Sequence, residues 1–248
     1  MTDEHWNGVT KSASLRSSIK RALTDVATRL QAARRESLAE VAVPSDDQTW
    51  EYAGREWSWP AGEDLTYFRE LSPKERSILR RASENHGLER IGTGTGRIVV
   101  MLPERVGDEP LVAKLARYGV SVEMGAGRPQ NQRELSVWRS VGEHPFLPVL
   151  DAEEKGNWLI MPEADVLGER DPTLESATAA NREQDPETAA ALASVRGAMT
   201  PYSDYIHPDE IKPENVGTFH DRHWLLDYGR PPGEALFVDQ VAPSDGRD

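Results

Sequence analysis

Two short strings toward the end of the chain carry the residue types of a cation and phosphate site. Lys212-Pro213-Glu214-Asn215 opens a predicted hairpin and Asp227-Tyr228-Gly229 closes it. An asparagine carbonyl and a carboxylate, brought together by the two strands of one hairpin, can share a hard cation that also bridges phosphate oxygens. Upstream, Val112-Ala113-Lys114 ends an apolar strand in a lysine, and Glu134 follows twenty residues later in the predicted helix Gln130 to Val141. A strand lysine paired with a glutamate on the next helix presents an oriented ammonium to phosphate oxygens. Earlier still, Ile91-Gly92-Thr93-Gly94-Thr95-Gly96-Arg97 sets three glycines between two strands. Glycine allows positive φ and a close approach of backbone to phosphate. A strand follows rather than a helix, so this run is neither a Walker loop nor a dinucleotide fingerprint. Taken singly, each string reads as a turn, a loop or a snorkelling surface lysine; the order and spacing of all five give them meaning together.

From about Leu88 to Gly229 that order resembles a protein kinase. The resemblance implies a glycine-rich loop at Gly92, Gly94 and Gly96, a strand-three lysine at Lys114 and its helix partner at Glu134. It implies a metal-binding asparagine at Asn215, a metal-binding aspartate at Asp227, and a hinge at Met161-Pro162-Glu163-Ala164, with Glu163 among the nucleotide-binding positions. ATP and Mg²⁺ are the implied cofactors. The chain departs from the family at three places. The family's catalytic aspartate stands five residues before the asparagine; here that position is Glu210, and Asp209, in His207-Pro208-Asp209, is one residue further away. Asp209 or Glu210 would serve as base, with Lys212 neutralising the transferred phosphoryl group. The third glycine falls one place early, leaving Arg97 where the pattern has glycine. Finally, only 19 residues follow Gly229, too few for an activation segment or for peptide-binding helices, so the expected C-lobe is truncated. In this the chain resembles short kinase-like proteins of some tailed viruses.

The elements that must position these groups are legible from periodicity. Leu15, Ile19, Leu23, Val26 and Leu30 form one apolar seam, which predicts a helix over 11–40. Such a seam packs on its own domain or docks a protein partner. Pro44 to Asp47 reads as a linker, and Trp50, Tyr52, Trp57 and Trp59 around Gly54 as an aromatic hairpin. Ser72-Pro73-Lys74-Glu75 has a capping residue, a proline at N1 and a capping-box glutamate, so a helix starts there and stops at Gly87. Strands are predicted at 88–92, 97–102, 111–115, 146–150 and 158–161, and helices at 130–141 and 188–199, with a helical stretch around 174–181. His220 and His223 flank the predicted hairpin turn, a solvated arrangement rather than a metal site.

Composition narrows the remaining choices. At 248 residues with 38% hydrophobic content and a net charge of −13, the chain can bury a large core and offers no basic field for nucleic acid. No apolar run reaches the roughly 20 residues a membrane-spanning helix needs, and the absence of cysteine excludes disulfides. Only six of the 29 basic residues are lysine. An acidic, arginine-rich chain of this kind resembles halophilic proteins, in which salt screens self-repulsion.

The expectation is therefore an α+β protein with a protein-kinase-like bilobal core at 87–248, a truncated C-lobe and a helical N-terminal extension at 1–86. Its expected function is nucleotide binding with ATP- and Mg²⁺-dependent phosphotransfer; a catalytically inactive pseudokinase serving as a binding or structural module, viral in type, is the alternative. A cytoplasmic location follows from the lack of any leader pattern.

Overall fold

The computed structural model describes residues 15–39, 49–52, 55–58, 70–119, 126–168, 185–206 and 210–230. The chain is a mixed α+β protein with four helices and antiparallel sheets among these residues. Helix α1 spans Ser17–Ala39, strands β1 and β2 span Thr49–Tyr52 and Arg55–Ser58, and helix α2 spans Pro73–His86. Next come β3 (Glu89–Thr93), β4 (Arg97–Val106), β5 (Glu109–Ala116) and helix α3 (Gly127–Val141). Strands β6 (Asp151–Ala152), β7 (Trp158–Pro162) and β8 (Asp165–Val166) lead to helix α4 (Pro186–Met199) and the hairpin β9 (Val216–Phe219) and β10 (Arg222–Leu225).

The main sheet has the order β3-β4-β5-β7-β6, antiparallel between every pair of neighbours. Its two faces follow from the period of two along a strand. Ile98, Val100 and Leu102 alternate with Arg97, Val99 and Met101, and the register sets Val99 opposite Lys114 and Lys114 opposite Leu159. One face thus presents Ile98, Val100, Leu111, Ala113, Leu115, Trp158 and Ile160, all buried against α1 and α2. The other carries Arg97, Val99, Val112, Lys114, Leu159 and Met161.

The α1 seam is spent on this first face. Leu15, Ile19, Leu23, Val26 and Leu30 are all at most 7% exposed and share one core with the sheet. Trp158 Nε1 donates to Thr24 Oγ1 at 2.9 Å across that contact. Helix α2 begins as its sequence requires: Glu75 N–H donates to Ser72 Oγ, and Glu75 Oε2 accepts from Ser72 N–H. It ends at Gly87, whose φ of 65° is the left-handed conformation glycine adopts without strain.

On the second face lie α3, α4, the β9–β10 hairpin and the segment after α3, gathered around Phe146, Leu192, Val195, Leu225 and Tyr228. Residues 146–150, expected as a strand, are irregular. Leu147 N–H donates to Leu225 O and Leu150 N–H to Ile160 O, so the segment divides its hydrogen bonds between two neighbours and belongs to neither sheet. The expected hairpin at 215–227 is present, turning through His220 and Asp221 at φ 49° and 57°. Two consecutive positive φ values are those of the tight turn that matches strand twist. The aromatic hairpin is present as backbone, with Trp50 opposite Trp57. The helical stretch expected around 174–181 and the linker at 44–47 lie outside the described residues. No helix among the described residues is long and apolar enough to cross a membrane.

Candidate functional site

A cleft opens between the second face of the sheet and the β9–β10 hairpin. Ile91, Gly92, Val99, Val112 and Lys114 form its upper wall, Met161 to Ala164 its back, and Asn215, Leu226 and Asp227 its lower wall. The upper wall arises from register alone, since Gly92, Val99 and Lys114 stand side by side across three strands. Most of the lining is aliphatic, with one ammonium and one carboxylate at the same end.

At that end the side chains pair tightly. Lys114 Nζ lies 3.0 and 2.9 Å from the two oxygens of Glu134 and also donates to Leu226 O. Glu134 is fully buried; besides Lys114 it accepts from Arg97 Nη1 at 2.6 Å and from Tyr228 N–H at 3.1 Å. Arg97 turns its other terminal nitrogen, Nη2, to Asp227 Oδ1. Two cations and two carboxylates thus alternate in a chain, Lys114, Glu134, Arg97, Asp227. Burial alone would make Arg97 less basic, but Asp227 and Glu134 outweigh it and keep the guanidinium charged. Burial likewise opposes ionisation of Asp227, yet Arg97 and Lys114 hold its carboxyl well below the usual carboxylate range. Lys114 is pulled down by burial, against the attraction of Glu134.

Helix α3 is held in register by the groups around it. Asn131 Nδ2 donates to Lys114 O and Gly156 O, which ties the helix to β5 three residues before it delivers Glu134. Gly127 sits so close to the glycine turn that an added Cβ would lie 2.0 Å from Gly96 O. Gly229 is pressed against Gln130 in the same way. The Tyr228 hydroxyl, buried, donates to Leu147 O at 2.7 Å and locks the Asp227-Tyr228-Gly229 string onto the segment after α3.

On the lower wall, Asn215 Nδ2 donates to Glu210 Oε2 at 2.9 Å. Glu210 Oε1 faces Arg230 Nη1 at 3.3 Å. Burial pushes the Glu210 carboxyl up, and repulsion from Asp227 adds to the effect. Leu226 N–H donates to Asn215 O, which fixes the asparagine against the residues that lead from β10 to Asp227.

The residues expected from sequence are thus brought together unevenly. Lys114, Glu134, Asn215 and Asp227 converge, and Gly92 lines the cleft. Gly94 and Gly96 do not line it. They make a tight turn in which Gly94 N–H donates to Arg97 O, while Gly96 packs beneath the Gln130 side chain. Lys212 stands outside the cleft lining and pairs with Glu214 at 3.2 Å. Glu163 is at the back wall, but its N–H donates to Pro110 O and extends the sheet. The Ala164 N–H, by contrast, has no hydrogen-bond partner among the described residues. Asp209 lies outside the described residues. Glu210 stands next to Asn215 with each carboxylate oxygen engaged, by Asn215 and by Arg230.

Two residues of the site went unread in the sequence. Arg97 occupies the break in the glycine pattern, and strand alternation from Val99 would have placed it on the Lys114 face. Arg117 had no such signal. It is fully buried, pairs with Glu75 of α2 at 3.0 Å, and donates to Gly94 O at 2.8 Å.

By surface type the cleft is an aliphatic slot with Ala164 at its back and an oriented ammonium at its charged end. A divalent ion fits less well, because Asp227 Oδ1 already accepts from the permanently charged Arg97; of the expected ligand pair this leaves Asp227 Oδ2 and Asn215 Oδ1. No family model matches the chain, and no curated protein is significantly similar to it.

Proposed function

We propose that the chain is a protein-kinase-like nucleotide-binding protein, with a bilobal core, a minimal lower lobe and an N-terminal extension that buttresses the upper sheet. The observation that carries this reading is the buried Lys114–Glu134 pair at the charged end of an aliphatic cleft, facing Asn215 and Asp227. Two charged groups are costly to bury in a protein interior, and a pair held this precisely is used where an ammonium must be aimed. The ligand is an adenine nucleotide such as ATP, its base in the aliphatic slot against Ala164 and its phosphates toward Lys114.

Of the two modes expected from sequence, the surroundings of Glu210, one of the two candidate bases, favour binding without transfer. Glu210 is buried between Asn215 and Arg230. A base must reach the hydroxyl proton it removes at hydrogen-bond distance, and both oxygens of Glu210 are already engaged, by Asn215 and by Arg230. The chain on this reading acts as a pseudokinase, a module whose nucleotide stabilises a binding shape.

Titration with a fluorescent ATP analogue tests the reading. Saturable binding is expected, weakened by Lys114→Met by about tenfold or more, equivalent to ~1.4 kcal/mol. No binding by the wild-type chain sinks the proposal. Phosphate release or transfer above that of Asp227→Ala would move the assignment from pseudokinase to phosphotransferase.

A further inference from the structure

We propose that Arg97 is a resident cation that takes the place of a divalent metal at Asp227, so that the site holds a nucleotide without a metal ion. The inference rests on the nucleotide reading above and concerns how that site handles charge. A bare carboxylate on the wall of the cleft repels a polyphosphate, and a metal-dependent site removes the repulsion by placing an ion between the two. In this chain the guanidinium of Arg97 already balances Asp227. It is buried, with a side chain only 5% exposed, whereas Asp227 is 37% exposed toward the cleft, so the cation supports the carboxylate from behind.

The placement is built rather than incidental. Arg97 begins β4 opposite Ala116, on the Lys114 face, and its backbone carbonyl closes the glycine turn by accepting from Gly94 N–H at 2.8 Å. Its second hydrogen bond, to Glu134, joins the same carboxylate that orients Lys114. Arginine suits this duty because it stays charged when buried and presents two nitrogens in a fixed fork. A hydrated Mg²⁺ would have to approach Asp227 Oδ2 beside that fixed charge, and the unlike requirements of one carboxylate for two cations favour the one already in place. Arg97 is a positioning residue here: it acts on the ligand through Asp227.

The experiment titrates a fluorescent ATP analogue into the full chain in EDTA and in excess Mg²⁺, with wild type, Arg97→Gln and Arg97→Gln/Asp227→Asn. Wild type is expected to bind equally, within about twofold, in both conditions. Arg97→Gln keeps most of the side-chain length but loses the charge; it is expected to bind about tenfold more weakly in EDTA and to recover in Mg²⁺. The double variant, having lost both charges, should again be indifferent to metal. Wild-type binding that requires Mg²⁺ overturns the proposal, with no variant needed. Should wild type bind no nucleotide in either condition, the nucleotide reading fails, and Mn²⁺ uptake followed by electron paramagnetic resonance then decides the Arg97 assignment. Uptake by Arg97→Gln but not by wild type upholds it; uptake by wild type, or by neither protein, overturns it.

Discussion

Glu75 and Arg117 form an ion pair with both side chains completely buried, 3.0 Å apart, at the meeting point of α2 and the end of β5. Each partner has a second duty. Glu75 completes the capping box of α2, while Arg117 holds Gly94 O and Glu70 O. The start of α2 is therefore connected to the glycine turn through the Arg117 guanidinium. Removing one member of a buried pair leaves an uncompensated charge, at a cost of roughly 3–5 kcal/mol. Arg117→Met should lose that much in denaturant unfolding, and Glu75→Met/Arg117→Met should lose clearly less than the two single changes added together. A single-variant loss under ~1 kcal/mol would contradict the buried pairing.

Three glycines make a ranked prediction. An added Cβ at Gly127 would meet the Gly96 carbonyl at 2.0 Å, and at Gly229 it would meet the Gln130 carbonyl at 2.7 Å. At Gly96 the obstacle is the end of the Gln130 side chain at 2.6 Å, which can rotate away. Backbone cannot yield without moving α3, so alanine should be worst at Gly127, intermediate at Gly229 and mildest at Gly96. Overpacking typically costs about 1–3 kcal/mol, and unfolding midpoints of the three variants would show the order.

Helix α4 supplies a pH-dependent element outside the cleft lining. Asp185 caps it, accepting from Glu187 N–H at 2.9 Å and Thr188 N–H at 3.0 Å, and the Thr188 hydrogen bonds hold its carboxyl below the ordinary range. A depressed carboxyl contributes stability above its unfolded pKa, and that contribution is lost as pH falls through the folded pKa. Asp185→Asn, an uncharged cap, should match wild type less closely at neutral pH than in strong acid. Thermal midpoints at the two ends of that window test it; a constant gap across them would contradict the assignment.

Much of this architecture was legible in the chain. The capping box at Ser72 to Glu75, the stop at Gly87 and the seam of α1 are local signals, written in neighbouring residues and kept by the fold. For Lys114 with Glu134, spacing offered a pairing and the kinase resemblance selected it; the structure brings the two side chains together. Segment 146–150 misled because its apolar residues suit a strand, while its hydrogen-bond partners, Leu225 and Ile160, belong to two different sheets. Arg117 was unreadable for a related reason: a buried arginine is defined by partners 42 and 47 residues away, and nothing beside it in sequence announces them.

Glu134 is the hub on which the cleft depends. It accepts from Lys114, Arg97 and Tyr228 N–H, and no solvent reaches it. Glu134→Gln preserves shape and one acceptor oxygen but withdraws the charge that stands between two buried cations. Lys114 and Arg97 would then repel each other across a neutral amide, with Asp227 alone to balance both. The expected loss is about 3–5 kcal/mol in denaturant unfolding. Much of it should return in Lys114→Met/Glu134→Gln, because deleting Lys114 removes the repulsion that the amide leaves behind. A double variant no more stable than Glu134→Gln would show that the site is held by packing rather than by alternating charge.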